Sequence, residues 1–190
     1  PHHSSRRVLG SLMAVAALAW PGEARQAQFV PGGSPPADPQ TVVDALSGDG
    51  RLVVGGYGLP REAFCWESSA GFTGLGYLPG GGLGSGASSA DRHGDTIVGG
   101  GDSSSYGYEA FVWTTATGMA GLGVLPGGTY SAANDVSLDG LVVVGDSFVA
   151  TSSRQEAFRW TAASGMVSLG GIGDDTYAKA TSADGNVVVG

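Results

Sequence analysis

Short apolar runs separated by turn residues follow one another along most of the chain. Between residues 130 and 170, one run ends at Ser137, the next at Gly145 and the third at Trp160. Short runs of this kind, bounded by Gly, Asp and Ser, are typical of β-strands. The pattern predicts four strands in this region, at residues 132–137, 141–145, 156–160 and 165–169.

The same pattern repeats with a period of 47 residues. Its most regular part is the segment Glu-Ala-Phe-x-Trp, which begins at Glu62, Glu109 and Glu156. A glycine follows each glutamate after nine residues, and a Leu-Gly pair follows after thirteen. Four strands in about 47 residues match one blade of a β-propeller. We therefore expect an all-β, propeller-like array of about three four-stranded blades over residues 41–190, in an incomplete ring.

A β-solenoid is the alternative architecture, because its rungs also repeat glycine and short apolar strands. Solenoid rungs are usually about 20–30 residues long, so a longer unit favours the propeller. Within Glu-Ala-Phe-x-Trp, Phe and Trp share one face of the strand, whereas Ala and the variable residue share the other. We expect the aromatic face of each blade to interlock with the small-residue face of its neighbour.

Two kinds of turn separate the predicted strands. Asp-Gly, as at Asp139-Gly140, predicts a hairpin turn with a glycine at positive φ. Leu-Pro-Gly-Gly, at residues 78–81 and 125–128, predicts a type II β-turn.

Residues 1–24 have the pattern of an export signal. An arginine pair precedes an uncharged apolar run from Val8 to Trp20, and Gly22-Glu23-Ala24 supplies small residues for cleavage. The run is too short for a membrane span of about 20 residues but suits a secretory signal. The arginine pair leaves both the general and the twin-arginine route open. We expect a signal peptide at 1–24 and a Pro/Gly-rich linker at 25–40.

Both ends of the chain indicate a longer protein. The first residue is Pro1 rather than a methionine, and Gly190 interrupts a repeat. We expect further 47-residue units downstream, and poor solubility or oligomerisation when residues 25–190 are expressed alone. The hairpin predicted at 41–55 is then spare and is expected to complete a blade with later strands.

Composition and charge exclude several classes of function. The 190 residues include 35 Gly and 9 Pro, which disfavours a helical bundle. Only 14% of residues are charged and 42% are hydrophobic, which disfavours wholesale disorder. A net charge of −8 provides no electrostatic footprint for nucleic acid.

The residue types of common catalytic centres are scarce. Cys65 is the only cysteine, and His93 is the only histidine beyond the predicted signal. Neither a Gly-x-Ser-x-Gly elbow nor a zinc-ligand pattern accompanies them. The repeated glutamates are expected to be structural, since they accept hydrogen bonds at strand starts. The sequence therefore predicts a protein that is not an enzyme and has no cofactor.

The candidate interaction residues lie on loops. Tyr106 and Tyr108 belong to a serine-rich loop, and such tyrosines are common in carbohydrate and protein recognition. Asp174 and Asp175 replace the Gly-Gly of the third turn. Paired acids attract calcium, but the spacing of a calcium loop is missing, and a solvated turn is the simpler interpretation.

These repeats resemble the bacterial extracellular HAF repeat family. That family reads from His-Ala-Phe through a Trp, a Gly-x-x-x-Leu-Gly step, a Gly-Gly turn and a Gly-x-Val-Val-Gly strand, and the match covers residues 41–190. All three copies here have Glu in place of the family's His, so no role of that histidine transfers. The resemblance implies export and a propeller-like repeat fold, and it implies no established catalytic residues.

The leading functional hypothesis is a non-catalytic, secreted or cell-surface repeat module. Its expected partner is an extracellular protein or polysaccharide, and the sequence contains no transmembrane segment. The alternative is a propeller-type polysaccharide hydrolase or lyase that uses loop carboxylates. Asp174 and Asp175 would then be the reacting groups, because carboxylates are the only plentiful reactive type.

Overall fold

A computed structural model describes residues 14–16, 29–31, 40–171 and 173–190. These residues form β-strands and turns, and no α-helix occurs among them. The strands are β1 (Ala14–Ala16), β2 (Phe29–Pro31), β3 (Val42–Leu46), β4 (Leu52–Tyr57), β5 (Glu62–Glu67), β6 (Gly71–Gly76), β7 (Ser85–Ala90), β8 (Ile97–Ser103), β9 (Gly107–Thr114), β10 (Gly118–Gly121), β11 (Gly128–Val136), β12 (Val143–Val149), β13 (Arg154–Thr161), β14 (Gly165–Ser168), β15 (Ala180–Thr181) and β16 (Val188–Val189).

The predicted signal and linker fall almost entirely outside the described residues. Of that part of the chain, the structure describes β1 and β2, which pair in antiparallel fashion. The signal at 1–24 and the linker at 25–40 therefore stay predictions.

Three four-stranded antiparallel sheets and one hairpin make up the rest of the structure. Blade I contains β3–β6, blade II contains β7–β10 and blade III contains β11–β14, while β15 and β16 form the hairpin. A single parallel bridge, between Tyr108 and Tyr130, joins blades II and III. The predicted all-β class and its four-stranded units are confirmed. A solenoid is wrong, because each unit pairs its strands within its own sheet.

Several predicted strand bounds differ from the structure, since β11 begins at Gly128 rather than at residue 132 and β12 ends at Val149 rather than at residue 145. The second strand of blade III begins at Val143 rather than at Leu141. The hairpin at 41–55 is also not spare. Its second strand pairs with β5, with Gly55 opposite Phe64, and so belongs to blade I.

Adjacent blades interlock as the alternation within the repeat predicts. Ala63 of blade I and Phe111 of blade II share one buried cluster, and Ala110 of blade II and Phe158 of blade III share another. Both phenylalanines are fully buried. Burial of each such ring contributes about 2–3 kcal/mol of hydrophobic stabilisation. The small face of one blade therefore receives the aromatic face of the next.

The turns between the first and second strands of the four units form a feature that we call the turn row (residues 47–52, 91–96, 137–142 and 182–187). In the first turn, Ser47 Oγ donates to Asp49 Oδ1 over 2.8 Å and accepts from the amide of Leu52. The glycine that follows, Gly50, has a φ of +72°, which confirms the predicted Asp-Gly turn. The same arrangement recurs at residues 137–142 and 182–187.

Backbone hydrogen bonds connect successive members of the turn row. The amide of Asp49 donates to the carbonyl of Arg92, and the amide of Arg92 donates to the carbonyl of Leu138. The amide of Leu138 continues the series to Ala183. The blades are thus tied together at this end of their strands by main-chain contacts.

The proline turns also have the predicted geometry. The amide of Gly81 donates to the carbonyl of Leu78 over 3.0 Å, and Gly80 between them has positive φ. The turn at residues 125–128 is closed in the same way. Both are type II turns with proline in the second position.

Candidate functional site

Each junction between blades, at the end of the strands opposite the turn row, is closed by one hydroxyl group. Ser85 Oγ accepts from the amide of Ala63 over 2.9 Å and donates to the carbonyl of Gly76 over 2.7 Å. Ser131 and Thr176 make the same pair of bonds at the next two junctions. Sequence reasoning missed these residues, although a hydroxyl stands 20 to 23 positions after every motif glutamate.

The repeated glutamates also lie at this end and are structural. Glu62 accepts hydrogen bonds from the amide of Gly76 and from the hydroxyl of Tyr57, both over 3.1 Å. Glu109 accepts equivalent bonds, from a backbone amide and a serine hydroxyl. Glu156 accepts from two serine hydroxyl groups. Their contacts agree with the role expected from the sequence.

A cavity of about 290 Å³ opens between blades I and II on this side of the junction, and we call it the cleft. It is lined by Asp44, Arg61, Gly84, Ser85, Gly86, Ala87, Ser88 and Tyr108. The first strand of each blade has a bulge in its pairing, at Asp44 in blade I and at Ser88 in blade II. Because a bulge re-aims side chains, it is a common device beside binding sites.

Arg61 and Asp44 form an ion pair at the side of the cleft. Arg61 Nη2 lies 3.1 Å from Asp44 Oδ2, and the two side chains are 48% and 36% exposed. Burial raises the pKa of the Asp44 carboxyl, and the charge of Arg61 opposes that rise. The pair supplies one positive and one negative group, so it adds no net charge.

Two glycines make room for the longest side chains of the cleft. A Cβ atom at Gly56 would overlap the guanidinium of Arg61, and a Cβ atom at Gly100 would overlap the ring of Tyr108. Gly56 and Gly100 hold the same place in blades I and II, opposite the alanine of the repeated motif. Glycine at these two positions allows a side chain to lie close to the backbone.

Tyr108 is supported from blade III. Its ring stacks on that of Tyr130, with centroids 5.5 Å apart and an interplanar angle of 13°. The single parallel bridge between blades II and III joins the same two residues. Burial is the main cause of a raised pKa for both phenols. The ring of Tyr108 is thus held in one orientation.

Blade III replaces the glycine of the other blades by Asp146, which is only 6% exposed. Asn134 Nδ2 donates to Asp146 Oδ1 over 3.0 Å and also to the carbonyl of Ala178. Burial raises the pKa of Asp146, while Asn134 and the charge of Lys179 lower it.

Lys179 Nζ lies 4.8 Å from the ring centroid of Tyr177, in cation–π range.

Of the four residues predicted for interaction, one lines the cleft. Tyr108 is half-buried there, whereas Tyr106 is exposed at the turn between β8 and β9. Asp174 and Asp175 line a different cavity of about 410 Å³. Asp175 Oδ1 accepts from the amide of Gln155 over 2.9 Å, as expected for a turn residue. The cleft residues Asp44 and Arg61 were missed, and the signal for them is their departure from the repeat.

The cysteine and the histidine lie elsewhere. Cys65 packs against the cluster between blades I and II, and burial raises the pKa of its thiol. His93 lies in the turn row, 3.4 Å from Asp49. No cluster of three or more His, Cys, Asp or Glu side chains that could hold a metal ion occurs in the described part of the chain. No helix among the described residues is long and apolar enough to cross a membrane.

Comparisons with known proteins agree on the fold. No protein-family model and no curated protein matches the chain. Among solved structures, TolB from Acinetobacter baumannii matches with a TM-score of 0.52 and 15% identity, over 65% of this chain and 31% of that one. A protein assigned as TolB from Agrobacterium tumefaciens matches with a TM-score of 0.54 and 14% identity, over 76% and 50%. The chain therefore spans a third to a half of these neighbours, and at this identity the likeness shows a shared β-propeller fold.

Proposed function

We propose that the chain is a non-catalytic interaction module that binds a protein or glycan through the cleft. The observation that carries the proposal is a contrast within the repeat. Residues that pack or close turns recur between blades, whereas three residues that line the cleft, Asp44, Arg61 and Tyr108, differ from their equivalents in the other blades. The position before the motif glutamate is Arg61 in blade I, Tyr108 in blade II and Gln155 in blade III.

The contrast has a physical reason. Equivalent interfaces need equivalent side chains, so packing and turn residues are constrained to repeat. A ligand contacts one part of the array and needs a specific set of groups there. The bulge position follows the same rule, since it is Asp44, Ser88 and Asn134 in successive blades. The differences between blades at these cleft positions support a binding role.

The carboxylates also favour binding over hydrolysis. Those of the turn row and of the repeated glutamates accept hydrogen bonds that maintain the fold. Asp174 and Asp175 are exposed neighbours on a single connection, and one of them holds a backbone amide. Glycosidases place two carboxyl groups on opposite sides of the scissile bond, about 5–10 Å apart. Adjacent residues of one loop are a poor match to that arrangement.

Export and membership of the HAF repeat family belong to the same proposal. The export signal at residues 1–24 and the 47-residue motif series support them. A module outside the cytoplasm would meet the extracellular proteins and polysaccharides that we propose as partners.

Site-directed cross-linking tests the proposal. A Cys65→Val background removes the native thiol, with valine chosen because Val112 occupies the equivalent position in blade II. A thiol-linked benzophenone is then attached at Ser88→Cys, in the cleft, or at Ser105→Cys, on an exposed turn outside it. The probe is incubated with the envelope and medium fractions of a bacterium that encodes the chain.

We expect a discrete cross-linked product from position 88 and none from position 105. Equal labelling from the two positions, or none from either, contradicts a binding role for the cleft. Turnover of a polysaccharide panel that Asp174→Asn or Asp175→Asn abolishes would establish the hydrolase or lyase instead.

A further inference from the structure

We infer that the cleft binds a single ring of an uncharged saccharide, with Tyr108 beneath the ring and the Arg61–Asp44 pair bonding its hydroxyl groups. The inference rests on the proposed function and names the ligand class of the same site. It follows from the charge, the shape and the hydrogen-bonding groups of the cleft.

Charge favours a neutral ligand. The guanidinium of Arg61 is balanced by the carboxylate of Asp44, 3.1 Å away, and the carboxylate of Asp102 lies beside Gly84, so the cleft does not attract an anion. The whole chain carries a net charge of −8, which repels phosphates and acidic peptides at longer range. A ligand that is polar without a charge meets no electrostatic penalty.

The hydrogen-bonding groups suit hydroxyls. Guanidinium carries five N–H donors and a carboxylate only acceptors, and the bond between Arg61 and Asp44 uses one donor. A saccharide hydroxyl both donates and accepts, so neighbouring hydroxyl groups can bond the carboxylate and the guanidinium at once. Ser88, at the bulge of β7, adds a further hydroxyl.

The shape suits one ring. A volume of about 290 Å³ lies at the lower end of small-molecule sites, which span roughly 300–1,000 Å³. Gly86 adds no side chain to the cleft, and the carboxylate of Asp102 lies beside Gly84. Tyr130 backs the ring of Tyr108, which keeps it as a rigid apolar wall for the C–H face of a sugar.

Titration with simple sugars tests the inference. The full chain, labelled with ¹⁵N, is titrated with the methyl glycosides of glucose, galactose and mannose, and with methyl glucuronide as the charged comparison. Amide shift changes are followed by two-dimensional NMR. A ligand of about a dozen heavy atoms is expected to bind with a Kd of about 1 mM.

Two matched pairs of variants locate the binding. Tyr108→Ala is compared with Tyr106→Ala, whose ring lies outside the cleft, and we expect about tenfold weaker binding from the first only. Gly86→Ala puts a methyl group in the cleft, at ordinary contact distance from Arg61. Gly171→Ala is its control, because it adds a methyl group at ordinary contact distance from other residues, outside the cleft. Because Gly86→Ala leaves the packing of Tyr108 intact, it keeps the test valid if Tyr108→Ala unfolds.

The outcomes separate this inference from the proposed function. Saturable shifts at Gly84, Gly86 and Ser88 with a neutral glycoside support it. Tighter binding of the glucuronide, shifts confined to other regions, or shifts that survive Gly86→Ala overturn it. If no sugar binds while position 88 still cross-links to a protein, the interaction role stands and the saccharide does not. If both fail, the cleft has neither role.

Discussion

The turn row and the cleft lie at opposite ends of the same strands and use aspartate in opposite ways. In the turn row, Asp49, Asp139 and Asp184 accept bonds from a serine hydroxyl and a backbone amide, and the pKa of each is lowered. Asp44 in the cleft and Asp146 in blade III are partly desolvated, and burial raises the pKa of both.

The difference shows how one side-chain type serves two purposes in a repeat. Hydrogen bonds to a carboxylate favour its charged form, so the turn aspartates stabilise the fold when ionised. A desolvated carboxylate is less stable when charged, and it retains acceptor capacity that a ligand can use. The stabilising set recurs in three of the four turns, whereas Asp44 and Asp146 occupy positions that differ between blades.

The largest expected effect comes from the hydroxyl junctions between blades. Ser131 is fully buried, and Ser131→Ala leaves the amide of Ala110 and the carbonyl of Gly123 without that partner. We expect a loss of about 1–3 kcal/mol in the free energy of unfolding, measured by urea denaturation. Thr176→Ser keeps the hydroxyl and is the control. A loss below about 0.5 kcal/mol would show that water replaces the bond.

A smaller effect is expected within the turn row. Ser137 Oγ accepts from the amide of Val142 and donates to Asp139, and the residue is buried. Ser137→Ala should cost about 1 kcal/mol of unfolding free energy and leave ligand binding unchanged. Ser182→Ala, in the more exposed turn, should cost less. A change in cleft binding caused by Ser137→Ala would break the division between the two regions.

Asp146→Asn should raise the free energy of unfolding, whereas the two serine variants lower it. The folded pKa of Asp146 is raised above its ordinary value of 3.8, so ionised Asp146 lowers stability above that pKa. At pH 7 the variant is expected to be more stable than the wild type, provided that Asn134 still donates to residue 146.

The pH dependence of that difference is the control. As the pH falls through the raised pKa towards 3.8, the folded wild type takes up a proton first, and the two proteins should converge in urea stability. A variant that is less stable at pH 7 would show that the hydrogen bond from Asn134 and the charge of Lys179 outweigh the burial of Asp146.

The smallest effect concerns Asp184, whose pKa is about 2 against an ordinary value of 3.8. The hydroxyl of Ser182 is the largest cause. The stabilisation is present above about pH 3.8 and is lost as the pH falls through about 2. Carboxyl ¹³C NMR titration measures this pKa, and Ser182→Ala should move it upwards. An unchanged value in the variant would contradict the assigned cause.

Much of the fold is predictable from the sequence because its determinants are local. The alternation in Glu-Ala-Phe-x-Trp assigns Phe158 to one face and Ala157 to the other, and the structure places them in different clusters. The turn types follow from Asp-Gly and Pro-Gly in the same way. The strand ends were less accurate, since β12 covers Val143–Val149 where the pattern predicted residues 141–145.

The cleft was less predictable than the blades. Tyr108 was identified from its loop and its residue type, but so were Tyr106, Asp174 and Asp175, which lie outside it. Asp44 and Arg61 stand 64 and 47 positions before Tyr108. No local pattern relates residues so far apart. A comparison of the three repeats for variable positions, rather than for recurring ones, would have identified Arg61.

The sequence by itself determined the all-β class, the 47-residue unit, the facing of each strand and the turn types, because these depend on near neighbours and recur three times. Only the tertiary structure decided which variable positions meet and how far each is desolvated. The meeting of Arg61 with Asp44 requires a bulge in β3 and a glycine at position 56. The opposite pKa shifts of Asp146 and Asp184 arise from burial and hydrogen bonding, and only the folded chain establishes these surroundings.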